Sequence, residues 1–220
     1  FIGAIPLCKL RPLAIENMLS QLRKRKNRRG QPVRESTVQH YLSAVSAVLS
    51  DAKRNEIIQT NPARMIDLPT TNRMEQHIPT VQEVQRLLQA LSMEPRHFRV
   101  FYLLAMATGC RRGELCALQW QDIDWEQRSI HICRSAVKIT GDEIFVKEPK
   151  TRSGDRYVYF SAQMENLLRE YRRACQYITT IYDERELDTN DFLFRRQGTR
   201  LPMTPTTFTW RFKCILKKNG

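Results

Sequence analysis

Residues 107–118 read Ala107-Thr108-Gly109-Cys110-Arg111-Arg112-Gly113-Glu114-Leu115-Cys116-Ala117-Leu118, with Trp120 and Asp122-Ile123-Asp124 close behind. The run follows apolar residues at helical spacing, Phe98, Phe101, Leu103, Leu104 and Met106, a pattern that stops at Gly109. A short second helix is expected from Arg112 to Leu118. An arginine held at a helix start, among free backbone N–H groups, is well placed to grip a phosphate with paired hydrogen bonds. Glu114 lies three residues on, on the same side of the helix, where its carboxylate can hold the Arg111 guanidinium. Taken alone, a glycine ending one helix and an arginine opening the next is a common joint. The flanking sequence decides its meaning.

Downstream the period changes. Ile130 and Ile132, then Phe145 to Lys147, then Tyr157 and Tyr159 against Val158 and Phe160 alternate as strands do. Three short strands are predicted at 128–136, 143–148 and 155–160, with turns near Gly141 and Gly154. Between the last two lies Pro149-Lys150-Thr151-Arg152-Ser153-Gly154-Asp155-Arg156, a basic turn whose lysine can swing into a site and donate a proton. Helix returns at 161–177 through Met164, Leu167, Leu168 and Tyr171. Thr204-Pro205 opens a last helix with Phe208 and Phe212 on one face.

Upstream, Thr80-Val81-Gln82-Glu83 is a capping box, and Val84, Leu87, Leu88 and Leu91 continue its apolar face. Residues 66–79 carry Pro69, Thr70, Thr71, Asn72 and Pro79 with little periodicity, which marks a linker. Before it, Ile15, Met18, Leu19 and Leu22 predict a helix over 12–27. That helix runs into the basic stretch Arg23-Lys24-Arg25-Lys26-Asn27-Arg28-Arg29-Gly30, a solvated helix end or a phosphate contact. Ser36 is read as the cap of a second helix through Val38, Tyr41, Leu42, Val45, Val48, Leu49 and Ala52. Asn61-Pro62 is a further cap. The layout is a helical domain over 1–68, a linker over 69–79 and, over 80–220, a mainly α domain with one small antiparallel β-sheet.

Composition narrows the function classes. The chain has 220 residues, 41% hydrophobic and 27% charged, enough for a packed core and too apolar for wholesale disorder. No apolar run approaches the roughly 18 residues of a membrane span. Phe1 to Leu10 lack the basic flank of a signal peptide, and there is no initiator Met, so the chain reads as a fragment at its start. Six cysteines occur with no C-x-x-C pair and only four histidines. That pattern predicts free thiols in a reducing, cytoplasmic setting and no metal site. Lys plus Arg number 36 against 23 Asp plus Glu, a net charge of +13, which points to polyanions, nucleic acid first.

Four features in this order resemble the tyrosine recombinases of phages and transposons, the phage integrase family. Ile5-Pro6-Leu7, Leu10 and Pro12-Leu13 resemble the entry to the family's helical core-binding domain. Thr37-Val38, Tyr41-Leu42-Ser43 and Ala52 to Asn61-Pro62 resemble the rest of it. Thr108 to Leu115 resembles the first arginine box, the most specific match, and Lys150-Thr151 before Arg156 resembles the hairpin that bears the family lysine. The resemblance implies site-specific DNA recombination. A tyrosine attacks a phosphodiester to give a 3′-phosphotyrosyl link, and a partner strand's 5′-hydroxyl reverses the step through a Holliday junction, without ATP, metal or other cofactor. It implies that Arg111 neutralises the scissile phosphate, that Lys150 is the general acid for the leaving 5′-oxygen, and that Glu114 is support.

It also implies a clamp on double-stranded DNA. Lys24, Lys26 and Arg34 are the expected phosphate contacts of the first domain, with Thr37 and His40 near the groove and Arg112 and Arg152 as contacts in the second. Full-length members are expected to act as homo-tetramers on paired sites. The departures lie C-terminal to Lys150, where no His-x-x-Arg box and no tyrosine in the nucleophile's context occur. His131-Ile132-Cys133-Arg134 matches the box in letters but precedes the hairpin and falls in a predicted strand, so it is rejected. Tyr171, Tyr177 and Tyr182 are read as packing residues. The expectation is a recombinase chain truncated at both ends and inactive alone. The alternatives are a non-catalytic DNA-binding remnant and a helical protein-interaction module.

Overall fold

The computed structural model describes residues 1–27, 30–67, 77–139, 141, 143–148 and 154–219. The chain divides into two compact units, Phe1–His77 and Ile78–Gly220. The linker expected over 69–79 falls largely outside the described residues.

The first unit is built on two helices. Helix α1 (Pro12–Lys24) starts with proline at its first position and buries Ile15, Met18, Leu19 and Leu22, the residues that predicted it. It stops three residues before the expected end. The Arg25 N–H bonds back to Leu22, and the chain reverses, with Asn27 N–H to Gln31 O at 2.7 Å and Val33 N–H to Arg25 O at 3.2 Å. Helix α2 (Glu35–Arg54) begins just after Arg34, before the predicted Ser36 cap, with Glu35 in the first turn, where a carboxylate suits the helix dipole. Its inner face is Val38, Leu42, Leu49 and Ala52, while Tyr41 and Val48 are exposed. The Asn61 cap holds: its side-chain oxygen accepts from Ala63 N–H at 2.9 Å. Its amide donates at 2.9 Å to Ser46 O and to Ser50 Oγ, locking the chain against α2. Each fully buried side chain here, such as Ile15 or Val38, contributes roughly 1.5–3 kcal/mol.

The second unit packs helices around small sheets. Helix α3 (Val81–Ser92) carries the predicted capping box, with both Thr80 and Glu83 bonds formed. Of its apolar face only Leu91 is buried. Helix α4 (Arg96–Thr108) ends at Gly109, whose φ of 63° is left-handed and favours glycine. Helix α5 (Arg112–Cys116) follows at once.

Strands β1 (Ile123–Asp124), β2 (Ser129–Ile132) and β5 (Arg156–Tyr159) form one antiparallel sheet in the order β1-β2-β5. Strands β3 (Ser135–Lys138) and β4 (Ile144–Lys147) form a separate hairpin. The single strand expected over 128–136 is therefore broken at Cys133-Arg134, where Arg134 turns its side chain onto the buried Asp122. Strand β1 has two residues, too few to show alternation in the sequence.

Helix α6 (Ala162–Asp183) runs six residues beyond the predicted end and stops at Glu184, whose φ is 51°. Helix α7 (Pro205–Asn219) closes the core. Phe208 of α7 stacks on Phe101 of α4 at 3.6 Å between centroids, and Tyr102 donates its hydroxyl to Phe208 O at 2.7 Å. Tyr171 is buried and donates to Leu193 O at 2.8 Å, as a packing residue should. Tyr177 and Tyr182 are 68% and 67% exposed, which corrects the expectation for both. No helix among the described residues is long and apolar enough to cross a membrane.

Candidate active site

The joint between α4 and α5 is fixed by its own short-range bonds. Thr108 donates its hydroxyl to Leu104 O at 2.7 Å and accepts from Cys110 N–H at 3.3 Å. With Gly109 turning the chain, Arg111 becomes the residue that precedes α5. Its N–H donates to Glu114 Oε2 at 2.9 Å, and its guanidinium Nη1 donates to Glu114 Oε1 at 2.9 Å. One carboxylate thus satisfies both the helix start and the side chain.

Helix α5 cannot drift from this position. A Cβ on Gly113 would lie 2.6 Å from Ser135 Oγ and 2.8 Å from the main-chain oxygen of Ala136. The glycine is needed because strand β3 passes against the helix backbone.

A third residue joins the pair. Arg156, the first residue of β5, donates from Nη2 to Glu114 Oε2 at 2.8 Å and from Nη1 to Oε1 at 3.3 Å, with Cys110 Sγ 3.8 Å away. Its partner carboxylate is almost wholly enclosed. The side chain of Glu114 is 7% exposed, that of Arg156 30% and that of Arg111 77%. Burial pushes the Glu114 carboxyl up, but hydrogen bonds from Arg156 and from the Arg111 side chain and main chain outweigh it and hold the carboxyl down at about 2. Burial likewise raises the neighbouring Cys110 thiol, so it is not a ready nucleophile. The result is a carboxylate ionised at neutral pH between two guanidinium groups, one turned inward and one presented to solvent.

The sequence reading paired Arg111 with Glu114 and quoted Arg156 only as part of the basic turn. Strand alternation carried the missing signal. Arg156 shares its face with Val158, and an arginine on the inner face of a strand requires a carboxylate partner.

The other expected residues fall as follows. Lys150 and Arg152 lie outside the described residues. Arg112 is exposed and donates Nη1 to Thr209 Oγ1 on α7, at the rim of an apolar cavity of about 340 Å³ that includes Phe101, Met106 and Phe212. His131 and Arg134 serve different carboxylates: His131 Nε2 lies 2.7 Å from Asp155 Oδ1 and its ring stacks on Tyr157 at 4.6 Å, while Arg134 Nη2 reaches Asp122 at 2.5 and 2.6 Å.

In the first unit Lys24, Lys26, Arg34, Thr37 and His40 are all exposed. The basic run is thinner than it reads. Arg23 is tied to Glu35, with Nε to Oε2 at 3.0 Å, and Arg25 lies over the Phe1 ring at 4.6 Å. Lys24 and Lys26 make no ion pair among the described residues, which keeps their charges available.

Residues 79–220 match the sequence model of the phage integrase family. The ICEBs1 integrase of Bacillus subtilis is 27% identical over 138 residues, 63% of this chain and 37% of that protein. The prophage integrase IntR of Escherichia coli is 28% identical over 149 residues, 67% of this chain and 34% of its own length. The chain therefore spans about a third of the length of these curated relatives. The fold is similar to that of the Tn1549 transposon integrase solved with circular intermediate DNA, with a TM-score of 0.76, 19% identity, 98% of this chain and 66% of that one covered. It is also similar to a lambda integrase dimer bound to a core site, with a TM-score of 0.61, 17% identity and coverage of 98% and 65%.

Proposed function

The chain belongs to the phage integrase family of tyrosine recombinases, and from that premise we propose that it binds double-stranded DNA at a recombination site and supplies two of the groups that act on the scissile phosphate. The observation that carries this reading is the Arg111–Glu114–Arg156 cluster. Arg156 and the main chain saturate Glu114, so Arg111 is held in place by one terminal nitrogen while most of its guanidinium stays open to solvent. Its remaining N–H donors meet the two non-bridging oxygens of a phosphodiester and neutralise the charge that builds as the phosphorus is attacked. Because the guanidinium is anchored beforehand, little ordering is left for the moment of reaction. Lys150, in the segment that precedes β5 in sequence, protonates the leaving 5′-oxygen. Glu114 and Arg156 position Arg111 without touching the phosphate.

In this proposal the nucleophile lies outside the 220 residues. Tyr102 and Tyr171 donate their hydroxyls to main-chain oxygens, and burial raises both phenols away from the phenolate needed for attack. Lys24, Lys26, Arg34, Thr37 and His40 in the first unit, with Arg112 and Arg152 in the second, bind the phosphate backbone and the groove edge. The whole protein assembles as a homo-tetramer on paired sites in the cytoplasm and exchanges strands there.

Fluorescence anisotropy of a short labelled duplex over a range of salt concentrations tests the binding. The affinity should fall by about 0.9 log units per log unit of salt for each phosphate neutralised, and Arg111→Ala should lower that slope by about one phosphate. A chain that leaves the duplex unbound at every salt concentration is an interaction module and not a recombinase part. Incubated with supercoiled plasmid, the chain should form no adduct that survives denaturant. Such a band would overturn the assignment of the nucleophile, and Tyr182 would be the first residue to replace.

A further inference from the structure

Helix α7 is positively charged along its length. Arg211, Lys213, Lys217 and Lys218 lie within it, and no acidic residue does. Among the described residues, one ion pair ties the helix to the rest of its unit. Arg211 Nε donates to Glu94 Oε2 at 2.6 Å, a contact between residues 117 positions apart. The pair is partly enclosed, with side chains 32% and 11% exposed, and the guanidinium also lies over the Phe98 ring at 5.6 Å.

Glu94 stands at the joint of α3 and α4, and the start of α4 is cationic too. Arg96, His97 and Arg99 fall in its first four positions, no acidic residue is in its first turn, and Pro95 offers no side-chain cap. A helix start favours negative charge, so a further cation there is unwelcome. His97 is half-buried at this point, its ring against Phe98 at 4.2 Å between centroids. Burial lowers the imidazole below its ordinary value, Arg211 lowers it further, and Glu94 opposes them only in part.

The other groups around the joint do not supply a second counter-charge for His97. Tyr102 and Cys214 lie beside the Glu94–Arg211 pair, and burial raises the Tyr102 phenol. On α6, Glu170 lines a shallow cavity with Arg96, and Arg173 lines it as well. Glu94 is thus shared between α7 and the start of α4, and Arg211 holds it while His97 is neutral.

We propose that the start of α4 is a proton-operated hold on α7: when His97 takes up a proton, the added charge beside Arg211 competes for Glu94, and the helix from Arg211 onward loosens. This proposal does not rest on the recombination reading. The sign follows from the lowered imidazole. Above the ordinary histidine value of 6.5 the closed and open forms both keep the ring neutral, and the hold is complete. As the pH falls below that value the open form takes the proton first, so acid favours opening.

Hydrogen exchange of the 220-residue chain, read by mass spectrometry at about pH 7.5 and about pH 5.5 and corrected for the intrinsic pH dependence of exchange, tests the hold. Residues 211–219 should lose about threefold in protection at the lower pH, while α1 in the other unit stays as it was. His97→Gln keeps a polar side chain that cannot take up the proton, and should protect 211–219 equally at both values. Glu94→Gln should leave that segment as open at the higher pH as acid leaves it in the native chain. Proton NMR should place the titration of the His97 ring below the ordinary histidine range. A segment whose protection is the same at both values overturns the proposal. So does an acid response that survives His97→Gln or is shared equally by α1, a Glu94→Gln chain with native protection, or a His97 ring that titrates at or above the ordinary range.

Discussion

Eight residues apart, Glu114 and Asp122 solve the same problem in two ways. Each is a buried carboxylate, each accepts the main-chain N–H that opens a short helical turn, and each takes a guanidinium from a strand or its end. At Asp122 the arrangement closes on itself. Arg134 gives both of its short contacts from one terminal nitrogen, its side chain is 24% exposed, and its Nε finds no acceptor among the described residues. At Glu114 the inward guanidinium of Arg156 does that structural task, and a second one, Arg111, is added on the solvent side. The difference lies in what is left over. An ion pair that balances itself holds the fold, whereas a carboxylate with two arginines leaves one of them donors for a ligand.

The comparison can be broken most forcefully at Glu114. Glu114→Ala strands two guanidinium groups and should cost about 4 kcal/mol in denaturant-induced unfolding, along with most of the duplex affinity. The same site should show in the pH dependence. The folded carboxyl sits at about 2 against an ordinary 4.5, a depressed value, so its contribution is fully present above pH 4.5 and is lost as the pH falls toward 2. The stability gap between the native chain and Glu114→Gln should therefore be about 3 kcal/mol at neutral pH and close across that window.

Arg134→Ala comes next, at about 3 kcal/mol, because Asp122 is left buried and unpaired. Its duplex affinity at fixed salt should be unchanged. An affinity loss as large as that of Arg111→Ala would erase the distinction between the two clusters. Gly113→Ala should cost about 2 kcal/mol, since the Ala136 main-chain oxygen cannot yield to a methyl group as a side chain would. The smallest stability change is expected at Arg111 itself. Its side chain is 77% exposed, so Arg111→Ala should cost under about 1 kcal/mol while duplex affinity falls, and a larger loss would make Arg111 a structural residue after all.

Much of this was legible in the residues. The mainly α architecture with a small antiparallel element and the joint at Gly109 followed from periodicity and capping, because those signals are local. So did the pairing of Arg111 with Glu114, three residues apart. The division of the strands into two sheets did not. What was hidden depends on partners far along the chain. Arg156 meets Glu114 across 42 residues, and Arg134 meets Asp122 by breaking a strand that alternation alone would continue. The extent of α6 was missed because Ile178, Ile181 and Tyr182 in its last two turns are apolar yet exposed, so the pattern that ends a buried face did not end the helix.

The bond from Tyr102 to Phe208 joins residues 106 positions apart, and the Phe101 ring stacks on the same phenylalanine. A contact of that span sets a tempo. The loop it closes contains both sheets and α6, and chain entropy must be given up before the contact returns anything. Helix α7 should therefore arrive late in folding and depart early in unfolding. Its amide protons should exchange with solvent sooner than those of α4, so that the last helix acts as the latch of a core assembled before it.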